Sequence, residues 1–441
     1  MPSIKDKLRK GFPAIADAYH FLWAWTGAKL HRNPSRKIFV IGITGTKGKT
    51  TTVELLNAIL EAAGKKTEIL SSLRIKIGDE SKKNPTGNSM PGRGRIQKFL
   101  SDAVRTKCGY ALIEVTSQGA VQHRHRFVDW NVGAITNIHP EHIESHGSFE
   151  NYRGAKLDFL KYVLKKGGKV FLNQEDGQYP FFSEALNHAK TAAFSRSSRW
   201  IENYLPRESA MRGAFDAPRD DVAPKFLWSD FNQSNAACAV AIAKEIGIGD
   251  EVIKNAFGNF EGVPGRMQFV KMGGYTEIAD YAHTPDSLEA AYKASRTQIA
   301  SGDRLICVLG ACGGGRDAWK RPEFGRLAAH YCDEVVLTEE DPYDENPGSI
   351  IAQIKSGIDN AKRPIANIHE IDDRRDAIAR AVELARPGDI VIGTGKGSED
   401  WIHYAHGKKS PWNEKQEFEN ALAAKINGSE AGSGLELPWA E

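Results

Sequence analysis

The chain is poor in cysteine, and its five cysteines, Cys108, Cys238, Cys307, Cys312 and Cys332, form no CxxC pair and no metal-ligand spacing. An odd count argues against a disulfide framework, so a reducing cytoplasm is the expected compartment. No run approaches the roughly 20 apolar residues of a membrane span, and the basic N-terminus lacks a long apolar stretch with a cleavage site. Neither sign of charge dominates: 59 basic and 56 acidic residues leave a formal net charge of +3. That balance removes any global electrostatic case for a nucleic-acid partner, although local sites for small anions remain open. With 41% hydrophobic and 26% charged residues, disordered and collagen-like classes are excluded. A globular protein is left, and 441 residues exceed one ordinary core, which predicts two or three domains.

The apolar pattern predicts an α/β protein. Lys37 to Ile43 reads as a buried strand because a short β-branched run is bounded by turn residues. Val53, Leu55, Leu56, Ile59, Leu60 and Ala63 then recur at helical spacing up to a stop at Gly64. Further short runs at Ala111 to Val115, Gly133 to Asn137 and Lys169 to Asn173 alternate with helical stretches, the pattern of a mostly parallel sheet covered on both faces. A second set of strands is expected at Arg304 to Gly310, Glu334 to Thr338 and Asp389 to Gly393, after a turn near Val263-Pro264-Gly265-Arg266. Ser195 to Pro224 reads as short strands and loops. Before the first strand, Ala18 to Leu30 forms an aromatic-rich amphipathic helix. It packs on its own domain or meets a membrane surface or a protein partner. The expected division is a short N-terminal segment (1–36), a nucleotide-binding domain (37–263), a Rossmann-like domain (264–426) and a flexible tail (427–441).

Gly45-Thr46-Lys47-Gly48-Lys49-Thr50-Thr51 lies between the first strand and its helix, where backbone N–H groups and a helix N-terminus can cradle phosphates. Lys49 is placed to reach the terminal phosphates of ATP and Thr50 to ligate Mg²⁺. The first glycine stands only three residues before Gly48, a shorter loop than the general GxxxxGK[ST] pattern. Ile43 to Thr52 resembles the ATP loop of the Mur ligases, which build the peptide of bacterial cell walls. Asp280-Tyr-Ala-His-Thr-Pro-Asp286, Gly315-Arg-Asp-Ala-Trp-Lys-Arg-Pro322 and Gly395-Lys-Gly-Ser-Glu-Asp400 are similar, in order and spacing, to signatures of the branch adding the third amino acid. The resemblance covers roughly Ile38 to Asn420.

The resemblance implies a P-loop ATPase-like central domain, a Rossmann-like C-terminal domain and ADP-forming amide-bond synthesis with ATP and Mg²⁺. Glu114, at a strand end, and His142 match metal ligands, although a histidine in such a place is otherwise a satisfied core residue; Glu141 replaces the usual Asp. Lys156 matches the lysine that the family carbamylates with CO₂, where residue chemistry alone gives a solvated helix lysine. Asn232 and Asn235, three apart on one helix face, match adenine contacts or else serve as caps. Arg266, Asp280 and His283 match residues by the nucleotide, and Ser117 and Arg124 match positions holding the acceptor peptide. Arg316, Gly395 and Glu399 match positions for the incoming amino acid.

Two departures stand out. Members selecting meso-diaminopimelate carry Asn-Pro-Arg where this chain has Asp341-Pro342-Tyr343, an acidic loop that favours a distal ammonium or is merely solvated. Members also carry an N-terminal domain of about a hundred residues that holds UDP. Here 36 residues precede the first strand, so the expected acceptor lacks UDP or is held by something else. The expected function is ligation of an amino acid to a peptide-precursor carboxylate at the third-residue step. The alternatives are the same chemistry on polyglutamate, cyanophycin-like or lipid-linked acceptors, and a non-catalytic nucleotide-binding scaffold.

Overall fold

The structure is a computed structural model that describes residues 13–92, 94–141, 143–197, 227, 229–272, 274–315, 317–361 and 367–432. Most of the Ser195 to Pro224 stretch lies outside them. The described residues form two compact units, one up to Glu261 and one from Gly262.

The first unit is built on an eight-stranded sheet: β1 (Phe39–Thr44), β2 (Thr67–Leu70), β3 (Arg74–Ile77), β4 (Glu80–Lys83), β5 (Tyr110–Glu114), β6 (Val132–Ile135), β7 (Lys169–Asn173) and β8 (Thr191–Phe194). Their order is β4-β3-β2-β5-β1-β6-β7-β8, parallel from β2 to β8, with β3 and β4 added antiparallel at one edge. Alternation along β1 divides its side chains between two cores. Ile41 and Ile43 join Leu55, Leu56 and Ile59 of helix Lys49–Ala62 and the alanine-rich helix Asp230–Glu245. Val40 faces the other core, with Trp130, Phe159 and Leu160. On that face position 42 must be glycine, because an added Cβ would stand 2.6 Å from Phe159 and 2.8 Å from Trp130. Helix Phe149–Lys165 thus approaches β1 more closely than any side chain at 42 permits.

Helix Pro13–Leu30 docks by part of its surface, with Ala28 buried and Phe21 edge-on to Phe127, while most of its large apolar side chains stay exposed. No described helix is long and apolar enough to cross a membrane.

The second unit carries β9 (Gln268–Met272), β10 (Tyr275–Asp280), β11 (Leu305–Leu309), β12 (Glu334–Leu337), β13 (Asn367–Glu370) and β14 (Ile390–Thr394) in the order β13-β12-β11-β14-β10-β9. All pairs are parallel except β9 with β10. A hairpin of β15 (Trp401–His403) and β16 (Lys409–Pro411) stands apart. Helices Lys320–Tyr331 and Pro347–Asp359 touch backbone to backbone: a Cβ on Gly325 would lie 1.9 Å from the Ile354 carbonyl, and one on Gly357 1.8 Å from the Pro322 carbonyl.

Two expectations need correction. Cys307 on β11 and Cys332, just before the adjacent β12, are joined by a disulfide, both buried. Neighbouring strands bring together sulfurs that sequence spacing separates by 25 residues. The final helix, Glu414–Gly432, runs through Asn427 and Gly428 instead of giving way to a tail at 427. Glycine costs a helix only about 1 kcal/mol and does not by itself end it. Residues 433–441 lie outside the described set.

Among the described residues of the second unit, the most deeply buried ion pair joins Arg374, at the start of helix Arg374–Leu384, to Glu414, with both side chains fully shielded. Arg374 also donates to the Thr394 carbonyl at 2.7 Å, and the Trp412 indole donates to Glu414 at 2.7 Å. Removing one member leaves the other charge buried and unpaired, which costs about 3–5 kcal/mol. Glu414→Ala is therefore expected to lower the urea midpoint of this unit sharply, while Arg374→Met with Glu414→Leu loses much less. A near-native midpoint for Glu414→Ala would show that the pair contributes little.

Candidate active site

In the first unit the phosphate loop follows β1, and strand register sets what surrounds it. Ile43 pairs with Glu114 across to β5, and Thr44 with Ile135 across to β6. The loop therefore emerges between the C-terminal ends of two neighbours, the usual ligand edge of a parallel sheet. Gly45 has φ 142° and Gly48 φ 81°, and Gly48 directly precedes helix Lys49–Ala62. A Cβ on Gly48 would stand 2.1 Å from Asn235 Oδ1. Asn235 thus lies on the loop, and its Nδ2 donates to Asn232 at 3.3 Å. Neither asparagine is a cap, since the helix they share begins after Ser229.

The loop is tied down from the β6 side. Thr136 Oγ1 donates to the Lys47 carbonyl at 2.6 Å, and Asn137 accepts from the Lys47 amide at 2.8 Å. Tyr152 hydroxyl sits 2.9 Å from Thr46 Oγ1. Lys47 forms an ion pair with Glu141 at 2.6 Å. Lys49 Nζ donates to the carbonyls of Gly45 and Thr46 at 2.9 and 2.8 Å, so its ammonium lies over the loop.

Lys156 reaches the same place from the helix that Gly42 admits. It stands one turn before Phe159 on the same face, is 2% exposed, and donates to the Gly45 carbonyl at 2.8 Å. Burial, reinforced by the nearby Lys49 charge, holds its amine well below the usual lysine range. A solvated helix lysine is thereby excluded. Across the loop, Thr50 hydroxyl donates to Glu114 Oε1 at 2.8 Å, and the Ser72 amide donates to the same oxygen at 3.1 Å. A hydroxyl and a carboxylate are the hard oxygen donors that Mg²⁺ takes, the rest of its shell coming from phosphate and water. Among the described residues no cluster of three or more His, Cys, Asp and Glu stands ready to hold a metal by itself. His142 lies outside the described residues.

Ser117 is 3.0 Å from His146 Nε2. Arg124 donates to the Met90 carbonyl and to Gln122. His146, Tyr152, Ser72, Thr136 and Asn137 were not singled out from sequence. Thr136 and Asn137 nevertheless close the run Gly133 to Asn137 that reads as a strand in the sequence.

In the second unit, Asp280 ends β10 and accepts from the amides of Met267 and Ala282 at 2.7 and 2.8 Å, so it fixes the turn that carries Arg266. The Arg266 guanidinium lies 4.3 Å from the Tyr281 ring centre, and His283 Nδ1 is 2.7 Å from the Tyr281 carbonyl. Lys396 is fully buried and bridges Asp341 at 2.9 Å and Glu399 at 2.6 Å. Burial opposes its charge, yet Glu399 and Asp341 together hold its ammonium above the usual range. Asp341 also accepts from the His403 amide at 2.8 Å. The loop's acidity is thus largely spent inside the protein: Glu345 pairs with Arg321 at 2.8 Å, and Asp344 accepts from the His406 amide at 2.9 Å.

Tyr343, at φ 50°, stacks on His403 with ring centres 5.4 Å apart. Gly395 stands against Glu340, whose Oε2 would be 2.3 Å from an added Cβ. Burial pushes the Glu340 carboxyl up to about 7, against the pull of Lys396 and Arg374. Lys396 was not expected as a site residue, because its role rests on a contact with Asp341 across 55 residues of sequence that no spacing reveals. Arg316 lies outside the described residues.

A family model described as the Mur ligase middle domain matches residues 43–243, and one described as the Mur ligase, glutamate ligase domain matches residues 265–397. A UDP-N-acetylmuramoyl-L-alanyl-D-glutamate–2,6-diaminopimelate ligase of Syntrophomonas wolfei is 36% identical over 387 residues, 86% of this chain and 77% of that protein. A UDP-N-acetylmuramyl-tripeptide synthetase of Deinococcus radiodurans is 33% identical over 422 residues, 93% of this chain and 82% of that one. Among solved structures, a UDP-N-acetylmuramoyl-L-alanyl-D-glutamate–2,6-diaminopimelate ligase aligns with TM-score 0.60 and 25% identity over 88% of this chain and 79% of that chain. E. coli FolC in complex with ADP shares the fold, with TM-score 0.62 and 16% identity over 93% and 94% of the two chains. Two adjoining family models and relatives matched over most of their length leave one conclusion: the chain belongs to the Mur ligase family of ATP-dependent, ADP-forming ligases.

Proposed function

We propose that this ligase adds an amino acid to a carboxylate of a cell-wall peptide precursor at the third-residue step, working in the cytoplasm. The observation that carries the reading is the convergence of Lys49, Lys156 and the Thr50–Glu114 pair on one phosphate loop. The Lys49 ammonium lies over the loop, Lys47 pairs with Glu141 at 2.6 Å beside it, and Lys156 reaches the Gly45 carbonyl. That arrangement suits a polyphosphate whose charge shifts during transfer. Mg²⁺ bound by Thr50 and Glu114 would supply charge neutralisation at the phosphates.

The residues of the chain divide the work. The loop amides and Lys49 hold the phosphates in line. The acceptor carboxylate oxygen attacks the terminal phosphorus and ADP leaves, giving an acyl phosphate on the acceptor. The donor amine then attacks the carbonyl carbon, loses a proton, and phosphate departs. Lys156 is suited to carbamylation, because reaction with CO₂ requires an uncharged amine and burial, with the nearby Lys49 charge, favours that form. The carbamate would be an anionic group beside Gly45. Ser117 with His146, and Arg124, are assigned to the acceptor; Arg316, Gly395 and Glu399 are assigned to the donor amino acid.

Phosphate release that depends on both an acceptor dipeptide precursor and an amino acid is the direct test. It should vanish in Lys49→Ala with the fold intact. In Lys156→Ala it should fall at least as far and return in part with an added short carboxylic acid. Full turnover in folded Lys49→Ala would remove the phosphate-loop reading.

Donor choice is assigned to the 341–343 loop, and meso-diaminopimelate is expected to be disfavoured, unlike in the relatives named for it. A buried distal carboxylate left without a cation costs about 1–3 kcal/mol, roughly five- to more than a hundredfold. Tyr343 offers only a neutral hydroxyl, and Lys396 beneath the loop is already shared by two carboxylates. A kcat/KM for diaminopimelate tenfold or more above that for lysine would overturn this assignment.

The Lys156 amine also predicts a pH signature for the unmodified protein in CO₂-free, metal-free buffer. Its folded pKa lies below the unfolded value, so as pH falls from about 10.4 the unfolded chain takes up a proton that the folded chain refuses. Stability is lost over that window, and the loss levels off below the folded pKa. Lys156→Met should therefore be more stable than wild type at pH 7, with the gap closing as pH approaches 10. Parallel stability curves for the two proteins would show the amine to be unperturbed.

A further inference from the structure

Helix Pro13–Leu30 is held to its unit by one side. Phe21 meets Phe127 with ring centres 5.1 Å apart, Asp17 pairs with His123 at 2.7 Å, and Gly27 lies against the Gly94 backbone next to buried Ala28. On the opposite side Ile15, Tyr19, Leu22, Trp23 and Leu30 recur at helical spacing, with Trp25 on the flank, and each is between 40 and 78% exposed. No described element covers this face. A stripe of that size exceeds the scattered apolar exposure of an ordinary surface.

Charge and ring chemistry identify what covers it. The first 37 residues contain eight Lys and Arg against Asp6 and Asp17, a net +6, whereas the rest of the chain carries a net −3. Asp17 is already occupied by His123. A second copy of this chain would bring that positive region against itself. An anionic bilayer meets it with opposite charge, and the exposed Lys29 and Arg32 at the C-terminal end of the stripe can reach headgroup phosphates while their stems lie on apolar surface. Tyr19, Trp23 and Trp25 combine an apolar body with a polar tip, the side chains that settle at headgroup depth. The helix is not apolar enough to span, so it would lie in the plane of the interface.

We propose that helix Pro13–Leu30 is an interfacial anchor that lays its Ile15–Tyr19–Leu22–Trp23–Leu30 face on an anionic membrane surface. The anchor is independent of the ligase reaction, so the two stand or fall separately. The full chain is mixed with phosphatidylcholine vesicles, with or without phosphatidylglycerol, and sedimented while tryptophan emission is followed. Binding to the anionic vesicles should exceed binding to neutral ones by about tenfold at low salt, shift the emission to the blue, and weaken as salt is raised.

Leu22→Ser with Trp23→Ser, both at exposed positions, should lower partitioning by about tenfold or more. Lys29→Glu with Arg32→Glu should do so through charge alone, and provides a second readout if the first variant folds poorly. Equal binding to both vesicle types, wild-type binding by the two double variants, or no binding would overturn the proposal. So would a dimer in sedimentation velocity that Leu22→Ser with Trp23→Ser dissolves while vesicle binding is absent.

Discussion

Much of the first unit depends on the bare α-carbon of Gly42. With no side chain there, Phe159 and Trp130 close onto β1, and helix Phe149–Lys165 is set in depth and rotation. That setting, one helical turn away, carries Lys156 to the Gly45 carbonyl. A methyl group at 42 would have to displace two aromatic rings at 2.6 and 2.8 Å, and the lysine would move with its helix. Placement of a charged group by close packing is stiffer than placement by a loop, because packed interiors do not deform gradually. The chemistry at the loop therefore inherits its precision from an apolar contact that touches no phosphate.

How much of this was legible in the sequence follows from whether the cause was local. Buried parallel strands are short β-branched runs, so β1, β5, β6, β7, β11, β12 and β14 could be read directly, as could the phosphate loop between β1 and its helix. The edge strand β4 could not, because Glu80–Lys83 is exposed throughout and lacks an apolar signal. The Thr50–Glu114 bond was half legible: each residue stood in a recognisable place, but only strand register brings them to 2.8 Å. The partners of Asp341 were not legible at all. An acidic loop looks solvated or substrate-directed until Lys396, 55 residues later, is found beneath it.

The second unit manages charge in its interior. Arg374 with Glu414, and Lys396 with Asp341 and Glu399, are cations held with carboxylates and backbone partners, which is the condition for burying them at all. Burial holds the Glu340 carboxyl up at about 7, so it is only partly ionised at pH 7 even with Lys396 and Arg374 nearby. Charge here is allotted mostly between protein groups.

The backbone contact between Gly325 and the Ile354 carbonyl, mirrored by Gly357 and Pro322, bears on how this enzyme can change over generations. Helix Pro347–Asp359 begins where the 341–346 loop ends, and it cannot shift without parting two helices that meet without side chains between them. The other end of the loop is pinned by Lys396 and the His403 amide. Under the donor assignment proposed above, mutational drift in substrate preference would be channelled to the tip, at Tyr343, whose left-handed backbone also admits glycine and asparagine at little cost. Adjacent positions answer to neighbours that must change in concert, so the accessible evolutionary paths are few and begin at one residue.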